Sequence, residues 1–211
     1  MKNLIIIGAS GFGREVMWLV GRINSVNPEW NLLGFLDDNE EIQGNTINGY
    51  QVIGTTADIN HFDSYYVCAI GASSIREKVI QKVLNINPSA KFATLIDPSV
   101  EISEFSSIGE GTVICAHTIL TVNVEIGRHV IINLDCTIGH DAVLQDFSTL
   151  YPSVNISGNV HVGYGAELGT GTQVIQGKTI GEKSIIGAGS VVIRDITAKG
   201  TYVGVPTRIV K

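Results

Sequence analysis

Two stretches of the sequence carry residues whose types and spacing could do chemistry. The first is Gly139-His140-Asp141. An imidazole titrates near neutral pH, and a neighbouring carboxylate can orient it and raise its basicity, so the pair has the composition of a general base. A solvated histidine beside a turn aspartate would give the same pattern. No Ser-His-Asp or Cys-His arrangement is legible, and no second ligand follows His140 at a spacing typical of zinc sites.

The second stretch is the glycine-rich turn Gly8-Ala9-Ser10-Gly11-Phe12-Gly13, which follows a short apolar run. Its spacing is G-x-x-G-x-G and not the dinucleotide fingerprint G-x-G-x-x-G. Backbone N–H groups at a helix start could hold a phosphate there, or the glycines could only permit close packing of strand and helix. Asp37 and Gly71 end later strands at the same sheet edge, where ligands bind in such folds. They favour a nucleotide site, although the segment is too short for an NAD domain.

The element that must position His140 is a repeat of six residues. Every sixth residue from Ile96 to Val192 is Ile, Leu or Val, and a small or β-branched residue follows four positions later, with Lys178 as the clear exception. This period fits neither an amphipathic helix nor a simple strand, and it is typical of a parallel β-helix built from hexapeptides. The aliphatic residues should point inward, while Gly and Asn supply the positive φ that corners need. Three further histidines fall on the repeats, where we expect outward-facing structural or solvated positions: His117, His129 and His161.

The N-terminal segment predicts a small α/β domain. Apolar runs at Leu4–Ile7, Leu32–Leu36 and Tyr66–Ile70 are typical of buried parallel strands. One helix is expected from Arg14, and another over Ile75–Leu84. Ser73 or Ser74 should cap the second helix. The β–α–β order predicts a Rossmann-like sheet of four or five strands. We place this domain at residues 1–90 and the β-helix at residues 91–211.

Composition disfavours several classes of protein. The chain has 211 residues and a net charge of −6 without any block of Lys or Arg, which disfavours nucleic-acid binding. Cys68, Cys115 and Cys136 lack the spacing of a zinc site or a disulfide framework, so buried, reduced thiols are expected. The apolar run Leu4–Ile7 is too short for a signal peptide or a membrane span. A soluble, cytoplasmic protein is therefore expected.

Together these motifs resemble a known family. The glycine turn, Phe35-Leu36-Asp37-Asp38, Ala69-Ile70-Gly71, the hexapeptides with Asn133 and Gly139-His140-Asp141, and the closing Val203-Gly204-Val205-Pro206 carry the resemblance. They are similar to bacterial sugar acetyltransferases of the sialic-acid O-acetyltransferase type, and most to the branch that N-acetylates nucleotide-linked 4-amino sugars. The resemblance covers nearly the whole chain. It implies a left-handed β-helix with three hexapeptides per coil and between five and six coils. It also implies a homotrimer that binds acetyl-CoA between neighbouring coils.

The resemblance further implies site residues. The catalytic base falls on His140, and the acid that raises its basicity falls on Asp141. Contacts to acetyl-CoA fall near Thr149, Gly158, Thr170 and Ala188, and contacts to the nucleotide sugar fall on Ser10, Gly11, Phe12, Asp37, Asp38 and Gly71. Some relatives differ at three of these positions, with His in place of Phe12 and of Thr149, and Glu in place of Asp141. No metal is implied.

The function implied is N-acetylation of a nucleotide-linked amino sugar in the biosynthesis of a bacterial surface glycan. The amine would attack the acetyl-CoA thioester directly while His140 removes its proton, and a backbone N–H such as that of Gly158 would stabilise the oxyanion. An alternative is O-acetylation of a sugar of the sialic-acid type, with the same base and co-substrate. A third possibility is a non-catalytic scaffold, which would need neither His140-Asp141 nor the N-terminal domain.

Overall fold

The computed structural model describes residues 1–210 and divides the chain into two compact units, Met1–Pro98 and the part that begins at Ser99. The sequence analysis placed the boundary at residue 90. The first unit extends further because Lys91 and Phe92 pair with Tyr65 and Tyr66 and so continue its sheet. No helix in the described residues is long and apolar enough to cross a membrane.

The first unit is an α/β sandwich built on a parallel sheet. Its strands and helices are β1 (Lys2–Ile7), α1 (Gly11–Val26), β2 (Trp30–Leu36), β3 (Thr46–Ile47), β4 (Tyr50–Gly54), β5 (Tyr65–Cys68), α2 (Ser73–Ile86), β6 (Lys91–Phe92) and β7 (Leu95–Ile96). Short 3-10 helices span Glu40–Ile42 and Thr56–His61. The sheet order is β3-β4-β2-β1-β5-β6, and its pairs are parallel except β3 with β4. The chain adds β2 and β4 on one side of β1 and β5 and β6 on the other, so the strand order reverses between β1 and β5. In such sheets ligands bind at the carboxyl ends of the two strands where the order reverses.

The strands and helices predicted for this unit are present, but their first and last residues differ from the prediction. Leu4 to Ile7 are at most 2% exposed, as a strand covered on both faces requires. Helix α1 begins at Gly11, three residues before the predicted start, and buries Val16, Leu19 and Val20. The prediction that Ser73 or Ser74 caps α2 was wrong. Ala72 is the N-cap residue and no side chain caps the helix. The loop before α2 is held instead by Arg76, whose Nη1 donates to the carbonyls of Ile70 and Gly71 at 2.7 and 2.8 Å.

The second unit is a parallel β-helix of two-residue strands with a short C-terminal extension. The strands are β8 (Glu101–Ile102), β9 (Ser107–Ile108), β10 (Val113–Ile114), β11 (Ile119–Leu120), β12 (Glu125–Ile126), β13 (Ile131–Ile132), β14 (Thr137–Ile138), β15 (Val143–Leu144), β16 (Thr149–Leu150), β17 (Asn155–Ile156), β18 (His161–Val162), β19 (Glu167–Leu168), β20 (Gln173–Val174), β21 (Thr179–Ile180), β22 (Ile185–Ile186), β23 (Val191–Val192), β24 (Thr201–Val203) and β25 (Arg208–Ile209).

These strands form three faces, because each strand pairs with the strand three further along the chain. Face 1 contains β8, β11, β14, β17, β20 and β23, face 2 contains β9, β12, β15, β18 and β21, and face 3 contains β10, β13, β16, β19 and β22. Leu120 pairs with Ile138 and Ile138 with Ile156, so one coil takes three hexapeptides, as expected. The aliphatic residues stack as an interior ladder in which Ile132, Ile138 and Leu150 are fully buried.

Glycine serves two purposes in the coil. One residue in six adopts positive φ, without interruption from Gly111 to Gly189, and these residues form the corners. The glycines that directly follow the aliphatic residues are not among them. A Cβ on one of these, Gly139, would lie 2.6 Å from the backbone nitrogen of Gly158 in the next coil. Glycines of the first set suit the backbone conformation of the corners, and glycines of the second set allow neighbouring coils to approach closely.

Candidate active site

His140 and Asp141 lie at the corner where face 1 passes into face 2, which we call corner 1/2. Asp141 is the corner residue, with a φ of +58°. Its N–H donates to the carbonyl of Val122 in the preceding coil at 3.1 Å. The carbonyl of His140 accepts from the N–H of Asn159 in the next coil at 2.8 Å. Backbone bonds in both directions therefore hold the backbone of the pair in a defined position.

The two side chains contact each other directly. His140 Nδ1 lies 2.8 Å from Asp141 Oδ2, and each side chain is about half exposed. Asp141 Oδ1 accepts a hydrogen bond from Asn123 Nδ2 at 3.1 Å. The hydrogen bond with His140, and next that with Asn123, lower the pKa of Asp141. An ionised carboxylate accepts a hydrogen bond from Nδ1–H, and this tautomer leaves the lone pair of Nε2 available to remove a proton.

Gly158 lies directly above the imidazole, one coil further on. A Cβ at this position would lie 2.5 Å from His140 Cε1 and 2.8 Å from Cδ2, and nearer still to Nε2. Gly158 is not among the residues of positive φ, so the space taken by the ring is the reason for glycine here. The structure thus brings together three of the predicted site residues, His140, Asp141 and Gly158.

The other predicted acetyl-CoA contacts lie elsewhere on the coil. Thr170 and Ala188 are exposed and stacked in successive coils at the corner between face 3 and face 1, which we call corner 3/1. Thr149 lies in β16 on face 3 and is completely buried, as are its outward-facing neighbours Val113 and Ile131. Its side chain therefore has no exposed atom, and the acetyl-CoA contact near this position stays a prediction.

The glycine turn of the first unit separates into packing residues and open residues. A Cβ on Gly13 would meet the carbonyl oxygen of Gly8, and Gly8 has a φ of +101°, so both glycines are required by the fold. At Gly11 a Cβ would meet only Arg14 Nη2, at 3.9 Å. Ser10 is exposed and its side chain makes no capping hydrogen bond to α1. Ser10 and Gly11 are therefore accessible, and packing does not explain the glycine at position 11.

The two predicted acids after β2 have different surroundings. Asp37 Oδ2 accepts from the N–H of Ala9 at 2.8 Å, which ties this carboxylate to the glycine turn. Asp38 accepts from Thr56, and its Oδ2 forms an ion pair with Lys82 Nζ at 2.7 Å. Partial burial acts to raise the pKa of Asp38, but the hydrogen bonds from Lys82 and Thr56 outweigh it and the pKa is lowered. Asp38 thus has structural partners on both oxygens. Asp37 Oδ1 likewise accepts from the N–H of Asn39 at 2.9 Å, so backbone N–H groups hold the Asp37 carboxylate at the predicted ligand edge.

The remaining predicted residues lie at the same sheet edge. Phe12 is half buried in the first turn of α1, and Gly71 follows β5 with its carbonyl bound by Arg76. The sequence analysis missed Arg76, which is 1% exposed. Its spacing from the buried residues Ile80 and Val83 places it on the inner face of α2, and that spacing is a signal the sequence contains.

The cysteines are buried and do not contribute to this site. The three cysteines are free and buried, as expected, and burial raises the pKa of Cys68 and of Cys136 to about 12. His129, which we expected to face outward, is only 6% exposed and stacks on Phe147 with ring centroids 5.2 Å apart. It is covered because Phe147 occupies the equivalent corner position one coil further on. His140, by contrast, is about half exposed and its Nδ1 lies 2.8 Å from Asp141 Oδ2.

Comparisons with known proteins agree with this fold. Residues 3–83 match the family model of the PglD N-terminal domain. The acetyltransferase domain of PglB from Neisseria gonorrhoeae FA1090, in complex with acetyl coenzyme A, is 31% identical, with a TM-score of 0.89 and 99% of each chain covered. A single-residue mutant of perosamine N-acetyltransferase from Caulobacter crescentus, in complex with CoA and GDP-perosamine, is 27% identical, with a TM-score of 0.87 over 99% of this chain and 97% of that one.

The chain belongs to the sugar acetyltransferases of the hexapeptide-repeat superfamily. Its fold is accordingly an α/β domain followed by a left-handed parallel β-helix, as the resemblance implied. These acetyltransferases use acetyl-CoA. The chain spans less than half the length of two curated relatives. It is 33% identical to GlmU from Lawsonia intracellularis over 63% of this chain and 28% of that protein. It is 36% identical to serine acetyltransferase from Bacillus subtilis over 41% of this chain and 41% of that protein.

Proposed function

We propose that this acetyltransferase transfers the acetyl group of acetyl-CoA to the amino group of a nucleotide-linked sugar, in the biosynthesis of a bacterial surface glycan. The observation that carries the proposal is the 2.8 Å contact between His140 Nδ1 and Asp141 Oδ2, which leaves Nε2 directed at Gly158. A base held in this way can act on an acceptor that approaches along the corner.

The chemistry exchanges one bond and moves one proton. The amine nitrogen attacks the thioester carbonyl, and His140 Nε2 takes the proton that the nitrogen loses. The tetrahedral intermediate then collapses, the C–S bond breaks, the amide remains and the CoA thiolate leaves. The imidazolium gives its proton to the thiolate or to water, which restores the neutral base. Ionised Asp141 stabilises the imidazolium while it exists. We assign the oxyanion contact to the backbone N–H of Gly158, because the residue lies next to Nε2.

We propose that the acceptor is held by the first unit. The contacts would come from Ser10, Gly11, Phe12, Asp37 and Gly71 at the carboxyl ends of β1, β2 and β5, which is where ligands bind in open parallel sheets. The accessible start of α1 suits a phosphate group, because its first N–H groups lack helical partners. The complex of the similar perosamine N-acetyltransferase with GDP-perosamine supports this choice of acceptor.

We also propose a homotrimer. Thr170 and Ala188 lie at corner 3/1, and face 1 separates them from His140 at corner 1/2 of the same chain. A ligand that contacts both sets of residues therefore needs corner 3/1 of a neighbouring copy. Sedimentation equilibrium should give three times the chain mass of 22.6 kDa. A stable monomer at micromolar concentration would contradict the shared site.

The acceptor class is tested by measuring CoA release with UDP-, dTDP- and GDP-linked 4-amino sugars, their 4-hydroxy analogues and the free amino sugars. We expect turnover of one nucleotide-linked amine, far slower reaction of its hydroxy analogue and almost none of the free sugar. Equal turnover of a hydroxyl acceptor would replace the proposal by the O-acetyltransferase alternative. His140→Ala should lower kcat by roughly 10²–10⁴ and leave acetyl-CoA affinity nearly unchanged.

Gly11→Ala tests the placement of the acceptor. The added Cβ has open space in the free protein, so the fold should be unaffected. If the acceptor approaches the backbone here, its KM should rise while the KM for acetyl-CoA stays constant. An unchanged acceptor KM would remove Gly11 from the proposed site.

A further inference from the structure

Asn123 lies in the same column of corner 1/2 as Asp141, one coil earlier. Both residues have positive φ, +56° and +58°. Asn123 Nδ2 donates to Asp141 Oδ1 at 3.1 Å, and Asp141 Oδ2 contacts His140 Nδ1 at 2.8 Å. We infer that Asn123 is a positioning residue for His140, acting through Asp141. The inference rests on the proposed function, in which His140 is the base.

The physical need for such a residue follows from exposure. The Asp141 side chain is 46% exposed, so water competes for both carboxylate oxygens and the group can rotate away from the ring. An amide donor on Oδ1 restrains that rotation and leaves Oδ2 facing Nδ1. The ionised carboxylate then favours the tautomer with the proton on Nδ1, which is the form with a free lone pair on Nε2.

The residue type at position 123 is restricted in a way that fits this role. Gly, Asn and Asp are the residues that adopt positive φ most readily. Of these, glycine has no side-chain donor and aspartate would place a second negative charge beside Asp141. Asparagine combines the backbone conformation with a neutral donor.

A similar contact elsewhere in the coil provides the structural alternative. At corner 3/1, Ser153 Oγ donates to Asp135 Oδ2 at 3.2 Å, again between corner residues of successive coils. The residue before Asp135 is Leu134, so that contact has no base to orient. A hydrogen bond between corner side chains can therefore serve the coil alone, and the test must separate the two roles.

The pH dependence of the site follows from Asp141. Its hydrogen bonds with His140 and Asn123 lower its pKa, so the ionised pair exists above that lowered value and is lost as the pH falls through it. His140 is the titratable group that acts on Asp141 within residues 1–210, and Asn123 below and Asn159 above are uncharged. Loss of the Asn123 donor should raise the pKa of Asp141, which the pH dependence of its ¹³C carboxyl shift reports.

The deciding variant is Asn123→Gly, which keeps the corner conformation and removes the donor. We expect kcat to fall by about tenfold, as when a second partner that orients a functional side chain is removed. The KM for acetyl-CoA should not change, and the pKa of Asp141, read from its ¹³C carboxyl shift, should rise. The ¹⁵N shifts of the His140 ring should show a smaller Nδ1–H population. Asn123→Asp should raise the pKa of Asp141 further, because like charges oppose ionisation of Asp141.

Lys183→Gly is the matched control, since Lys183 is an exposed corner residue with a φ of +52° at the corner between faces 2 and 3. It should leave kcat, the pKa of Asp141 and the ring shifts as in the unaltered protein. Wild-type kcat, Asp141 pKa and ring shifts in Asn123→Gly would overturn the inference. The ring shifts report on the contact of Asn123 with Asp141 even if no acceptor is acetylated. Full activity of His140→Ala would refute His140 as the base, but it would not refute that contact.

Discussion

Gly158→Ala tests most directly whether His140 acts in the orientation described. The new Cβ would lie 2.5 Å from Cε1 and 2.8 Å from Cδ2 of His140, and nearer still to Nε2. Ordinary contacts between such atoms begin at about 3.4 Å, so the ring must retreat by roughly 1 Å. Because the ring is half exposed, it can swing toward solvent, but the 2.8 Å contact of Nδ1 with Asp141 is then lost.

We therefore expect a large loss of rate and little loss of stability. A displacement of about 1 Å in a catalytic group can cost about 10²-fold, and loss of the correct tautomer adds to this, so kcat should fall by roughly 10²–10³. The free energy of unfolding should change by less than about 1 kcal/mol, because an exposed side chain moves without opening a cavity. Release of CoA, followed with a thiol reagent, gives kcat and both KM values, and urea unfolding gives the stability.

Gly177→Ala is the matched control at the same corner. Gly177 has a φ of +71°, and a Cβ there would meet nothing within 4 Å. Its replacement should cost roughly 1–2 kcal/mol of stability through backbone strain and leave kcat unchanged. The two variants thus have opposite signatures. Wild-type kcat in Gly158→Ala would refute the assignment of Nε2 as the base, and a combined loss of rate and stability would show that Gly158 is needed for the coil itself.

Three other predictions concern stability. Ile132→Ala removes a fully buried ladder residue and should lower the free energy of urea unfolding by roughly 2–5 kcal/mol, and a loss below about 1 kcal/mol would contradict the six-residue register. Gly21 lies within α1, and a Cβ there would meet nothing within 4 Å. Gly21→Ala should therefore raise the free energy of unfolding by roughly 0.5–1 kcal/mol, and a lower Tm would contradict this. Gly13→Ala would press a Cβ against the carbonyl oxygen of Gly8 and should destabilise the first unit, and a Tm equal to that of Gly21→Ala would refute this packing.

The sequence by itself determined the β-helix, because a period of six with one aliphatic residue per repeat buries its apolar surface only when the repeats stack. It also indicated β1, β2 and β5, whose continuous apolar runs suit strands covered on both faces. The hairpin of β3 and β4 was missed because Thr46–Ile47 is short and Tyr50–Gly54 has no clear alternation. The sequence does contain a signal for it, since Asn48-Gly49 has positive φ at both residues, as a two-residue hairpin turn requires. The N-cap of α2 was mispredicted because a buried Arg76, and not a serine, holds the preceding loop.

The surroundings of His140 were decided by tertiary structure. Asp141 is its neighbour in sequence, but Asn123 and Gly158 lie about one coil away in either direction. Whether they meet the pair depends on how many residues a coil takes and on which corner each residue occupies. The register of Leu120 with Ile138 and of Ile138 with Ile156 settles both, and it brings an amide donor to Asp141 and an open backbone to Nε2. Residue type limits what each position can do, but contact between distant positions arises only from the winding of the coil.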